Sequence, residues 1–77
     1  MKCKVEAFWD EEAKVWVATS NDVTGLATEA KSLETLTKKL HNMIPELMIA
    51  NNVIPSNYIG KISLELVTHR QELIEVC

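Results

Sequence analysis

The chain has 77 residues, 47% hydrophobic and 25% charged, with 8 Lys and Arg against 11 Asp and Glu for a net charge of -3. That leaves room for one domain of ordinary globular composition and excludes both a disordered segment and a catalytic domain joined to a regulatory one. The acidic balance speaks against nucleic acid as the direct partner, because phosphate binding needs a basic field.

Lys2 to Trp9 places Cys3, Val5, Ala7 and Trp9 on one parity, the period of a half-buried strand. Asp10-Glu11-Glu12-Ala13 breaks the pattern, and Lys14 to Ser20 resumes β-branched and aromatic character, so the two segments form a hairpin. A loop symmetric about Glu11 and Glu12 sets Trp9 opposite Lys14, Ala7 opposite Trp16 and Val5 opposite Ala18. One face then carries Cys3, Val5, Ala7, Trp9, Trp16 and Ala18 and is the core face; the other carries Lys4, Glu6, Phe8, Val15, Val17 and Thr19.

Asn21 to Gly25 is a turn cluster, and a short third strand follows over Leu26 to Ala30. Ser32 is positioned as the N-cap of one helix whose stripe is Leu33, Leu36, Leu40, Met43, Ile44 and Leu47. Pro45 falls inside that pattern and removes the amide that would bond the His41 carbonyl, which predicts a kink or break. The helix is expected to end by Asn51-Asn52. Val53 to Gly60 reads as a loop, and Lys61 to His69 as the last strand, with Ile62, Leu64 and Leu66 on one side. Residues 1–69 thus form the domain, and Arg70 to Cys77 is an ordered tail, helix, strand or arm, expected to pack on a surface.

The opening Met1 to Glu6 alternates charged and apolar residues, unlike a signal peptide, and no apolar run approaches the ~18 residues of a membrane span. The expectation is a cytoplasmic protein with no membrane partner, in which Cys3 and Cys77 remain free thiols and bind no metal.

No constellation for catalysis is legible. His41 and His69 have no nucleophile placed beside them by the sequence and read as surface histidines. Asp10, Glu11 and Glu12, even with Asp22 and Glu29, read as a solvated turn and its neighbours, since a metal site needs carboxylates converging from separate strands. Lys31, Lys38 and Lys39 form the one basic cluster, without an aromatic stacking partner. Gly-rich phosphate loops, zinc spacings and nucleophile elbows do not occur, so no catalytic, cofactor or metal residue is assigned and the protein is not expected to be an enzyme.

The outer sheet face is the feature that points to function. One helix covers only one face of a sheet, which leaves Phe8, Val15 and Val17 as an apolar patch framed by Lys4, Glu6 and Thr19. Such patches mark association surfaces. A domain this small buries only about 60% of the surface its unfolded chain exposes, which adds reason for a homodimer or higher homo-oligomer through that patch.

Three segments, Phe8 to Leu26 (FWDEEAKVWVATSNDVTGL), Ser32 to Leu36 (SLETL) and Met43 to Leu47 (MIPEL), with the final ISLELV, resemble the HicB antitoxin superfamily, most closely its small stand-alone HicB-like domains of unknown function. The resemblance covers about Val5 to Val67. It implies an α+β, two-layer β-β-β-α-β domain, mainly antiparallel with one long helix on one face, likened to a partial double-stranded-RNA-binding or degraded ribonuclease-H-like fold. It also implies pairing with a small HicA ribonuclease, whose active site such a domain shields. Thr24 stands where the family often has proline, with Gly25 retained. The stretch Arg70 to Cys77 is too short for the DNA-binding segment of full HicB antitoxins, so operator binding is not expected. The expected function is a non-enzymatic protein-interaction module, an antitoxin-like partner of a small basic HicA-type ribonuclease. The alternative is a stand-alone homo-oligomeric structural or small-ligand-binding domain without a toxin.

Overall fold

The computed structural model describes residues 1–76. Strands β1 (Lys2–Asp10), β2 (Val15–Thr19) and β3 (Ala27–Ala30) precede helix α1 (Leu33–Ala50), and β4 (Ser63–His69) follows it. The sheet order is β3-β2-β1-β4, with β1 antiparallel to β2, β2 antiparallel to β3, and β4 parallel to β1. The expected two-layer α+β architecture is therefore present. Its sheet is mixed, because the helical crossover returns the chain in the direction of β1.

The hairpin register differs from the expected one by two residues. Trp9 lies opposite Trp16 and Ala7 opposite Ala18, around a four-residue loop from Glu11 to Lys14. The Asp10 carboxylate accepts the amides of Glu12 and Ala13 at 3.0 and 3.1 Å, and Lys14 closes the loop at a φ of 58° by donating its amide to the Asp10 carbonyl at 2.8 Å. This side-chain-supported turn holds Lys14 out of the ladder. A shift of two preserves parity, so the two faces are as expected.

Ser32 caps α1, its hydroxyl accepting the Thr35 amide at 3.1 Å, and Asn51 ends it. Of the kink or break expected at Pro45, the break does not occur, and α1 runs on to Ala50. Leu36, Leu40, Ile44 and Met48 seat both halves of the helix on the sheet, and that packing outweighs the one lost hydrogen bond. The core joins these four to Cys3, Val5, Ala7, Trp16, Ala18 and Ala30, and to Val23, Leu26 and Ile54 from the connections. Trp9 and Leu47, expected in the core, are half-buried at its margin. The strands β3 and β4 begin one and two residues later than the alternation predicts.

Side chains continue the sheet where β2 has ended. Ser20 donates its hydroxyl to the Lys4 carbonyl at 2.6 Å, and Asp22 accepts the Lys4 amide at 2.7 Å. Asn51 donates to the Thr24 carbonyl at 2.9 Å and ties the helix end to the same turn.

The tail begins at Arg70, whose guanidinium lies over the Trp9 ring. Beyond Arg70 it lies exposed without regular secondary structure through Val76. Cys3 is a buried free thiol, while the expectation for Cys77 falls outside the described residues. Among the described residues no helix is long and apolar enough to cross a membrane.

Candidate interaction face

The face of the sheet turned away from α1 collects all six residues singled out in the sequence. Lys4, Glu6 and Phe8 follow one another along β1, and Val15, Val17 and Thr19 along β2. The register sets Phe8 directly opposite Val17, and Glu6 opposite Thr19, while Val15 lies opposite Asp10. Phe8 is 46% exposed and Val15 and Val17 are half-buried, so the apolar strip is open to solvent along its length.

Strand β4 adds residues that hairpin parity alone does not reveal. His69 is the register partner of Phe8, and the two rings stack with centroids 4.5 Å apart and planes 11° from parallel. The His69 Nε2 atom also stands 3.5 Å from a Glu6 carboxylate oxygen. Val67 lies beside Glu6 and lengthens the apolar strip, and Glu65 lies beside Lys4. On the other side Glu29 is opposite Val17. The outer face thus presents Phe8, Val15, Val17 and Val67 among the carboxylates of Glu6, Asp10, Glu29 and Glu65, with Lys2 and Lys4 confined to one end. The signal for Val67 and Glu65 was the alternation of Lys61 to His69, but its use required knowing that β4 adjoins β1.

The chemistry-bearing residues elsewhere do not converge. His41 is on the helix side of the molecule and His69 on the outer face. Asp10 is occupied by its own turn, and Asp22 by the Lys4 amide at the far end of β1. Glu11 accepts the Trp9 indole at 2.6 Å and pairs with Lys14; these hydrogen bonds, that of Lys14 foremost, hold its carboxyl below the usual range. Lys39 donates to the Glu29 carbonyl at 2.6 Å. Burial, and secondly the Asp22 carboxylate, push the Cys3 thiol above its ordinary value, which makes it a poor nucleophile at neutral pH. Among the described residues no three His, Cys, Asp or Glu side chains gather as a metal-binding group.

A groove of about 330 Å³ opens between the second half of α1 and the loop leading into β4. Ile44 and Pro45 wall it on the helix side, and Ile54, Tyr58, Ile62 and Leu64 on the other. Its lining is mostly apolar, with His41, Ser56 and Tyr58 as its polar side chains.

Comparison with known proteins matches this architecture to a solved structure. The hypothetical protein TTHA1013 from the extremely thermophilic bacterium Thermus thermophilus is 43% identical in sequence, with a TM-score of 0.74 over 96% of this chain and 100% of that one. No curated protein matches the chain. The profile of the family described as Domain of unknown function (DUF1902) matches residues 2–76, and the chain belongs to that family.

Proposed function

We propose that this chain is a non-enzymatic protein-interaction module of HicB-like, antitoxin type, whose outer sheet face docks a small basic ribonuclease of the HicA kind. The observation that carries the reading is the open strip of Phe8, Val15, Val17 and Val67 set among Glu6, Asp10, Glu29 and Glu65. An apolar centre with a charged rim is the anatomy of a protein-docking surface, and carboxylates on the rim steer a basic partner onto it. The alternation quoted for the HicB resemblance is what builds this face.

Co-expression with a small basic HicA-type ribonuclease tests the proposal. The expected results are a copurifying complex, loss of the partner's ribonuclease activity in it, and release of both by Val17→Lys. A folded parent protein that leaves such a ribonuclease free and active overturns the reading.

A second reading, a stand-alone homo-oligomeric or small-ligand-binding domain, draws on the apolar groove beside α1, whose volume falls at the lower end of small-molecule sites. The same co-expression distinguishes it, because a stand-alone domain captures no ribonuclease and leaves its activity unchanged.

A further inference from the structure

Beyond His69 the chain leaves the domain as an arm. Leu73, Ile74 and Val76 are 93%, 86% and 91% exposed. The molecule is correspondingly long, 59 × 19 × 19 Å, with a radius of gyration of 14.7 Å where a compact chain of this length has about 11.5 Å. The root of the arm is fixed. The Arg70 guanidinium lies 4.6 Å from the centre of the Trp9 ring and pairs with Glu72 at 3.1 Å, at the end of β4 away from the groove.

The arm does not serve its own groove. Leu64, at the groove, and Arg70 are separated by roughly 20 Å of strand at about 3.3 Å per residue. Folding back would need a reversal within Arg70 to Val76, a stretch with no Gly, Pro, Asn or Asp to make the turn. The outer edge of β4, last in the sheet order, is meanwhile unpaired.

We propose that two copies of this chain join through antiparallel pairing of their β4 edges about a two-fold axis near Leu66, each arm crossing to cover the partner's groove. Antiparallel pairing puts the segment after β4 in one copy beside the segment before β4 in the other. Centred on Leu66, it sets Arg70 opposite the partner's Ile62, Leu73 opposite the partner's Ile59 and Ile74 opposite the partner's Tyr58. Ile59 is 96% exposed, so this register brings together the two most exposed large hydrophobic side chains among the described residues. It sets no like charges directly opposite one another. Drawn into the ladder, the arm turns Ile74 and Val76 to the helix side, the side of Leu64 and Leu66, where the groove is. The occupant of the groove is therefore a segment of a second copy. The outer faces of both copies remain uncovered, so this dimer is independent of the docking reading above.

Sedimentation equilibrium of the full chain over a concentration series tests the dimer, beside Ile74→Asp, Ile59→Asp and Val17→Lys. Each substitution is at an exposed or half-buried surface position, and circular dichroism confirms that the variants fold. The expected result is a dimer whose dissociation constant rises by roughly tenfold or more in Ile74→Asp and Ile59→Asp and is unmoved in Val17→Lys. In a Cys77→Ser background, mild oxidation of a mixture of Leu73→Cys protein with Ile59→Cys protein should give a cross-link between the two, and neither alone should cross-link to itself. A monomer at high micromolar concentration, a dimer indifferent to Ile74→Asp, a dimer broken by Val17→Lys, or a dimer without that cross-link overturns the proposal.

Discussion

The imidazole of His69 lies flat against the ring of Phe8, 4.5 Å between centroids, with Glu6 at its far edge. The stack joins the last strand to the first on the solvent side and fixes the orientation of the largest apolar group on the outer face. Phe8→Ser removes that group from a site that is nearly half exposed. The expected outcome is a stability loss of roughly 1 kcal/mol, read by urea unfolding, together with at least about a tenfold loss of affinity for a basic partner, read by calorimetry. Affinity unchanged in Phe8→Ser would remove the outer face from the interface.

Leu40 and Leu47 separate the centre of the core from its margin. Leu40 is fully buried under the sheet, and Leu47 is only partly covered beside Gly25. Leu40→Ala should cost about 2 to 5 kcal/mol by denaturant unfolding, and Leu47→Ala roughly 1 to 2 kcal/mol. Equal costs at the two positions would contradict the packing described.

Gly25 adopts a φ of 85°, and a Cβ there would meet only Leu47 Cδ2 at 3.7 Å. The conformation, and not a collision, forbids other residues. Gly25→Ala is expected to destabilise by about 1 to 2 kcal/mol, and Gly25→Asn by less, since Asn enters the left-handed region more readily. Thermal melts of the two variants check the order.

The Cys3 thiol is held protonated by burial and by Asp22, so the folded state binds that proton more tightly than the unfolded chain does. Its contribution to stability is complete below the ordinary thiol value near 9.0 and is lost as pH rises beyond it towards the raised folded value. Unfolding midpoints should therefore fall more steeply above pH 9 for the parent than for Cys3→Ala. Mass spectrometry of the Cys3 peptide should find alkylation at neutral pH only once the chain is unfolded.

Alternation was enough to read the faces of the hairpin, because parity survives any even shift, and it carried Phe8, Val15 and Val17 to the correct side. It could not fix the pairing itself, which depends on the Asp10 carboxylate capturing two loop amides and on Lys14 accepting a positive φ. The helix was legible from its cap to Asn51, but not its passage through Pro45, which rests on side chains contributed by the sheet. Ile54 gave no periodic signal inside a loop and became core because the chain passes back over the helix end. On the outer face Val67 and His69 were hidden for a related reason: their relevance comes from which strand β4 adjoins, a long-range choice that local patterning does not encode.

The parallel pairing of β1 with β4 sets how the domain carries mechanical load. Tension applied at Met1 and at Arg70 pulls two adjacent strands along their length in opposite senses, since β1 starts beside Ser63 and β4 ends beside Phe8. The seven paired positions from Lys2–Ser63 to Phe8–His69 are then sheared together and do not unzip one at a time. Forced unfolding is governed by the barrier and not by equilibrium stability, so this small domain resists stretching between its ends far better than its modest core suggests. Load applied across the β1–β2 hairpin peels that ladder from its open end and meets much less resistance.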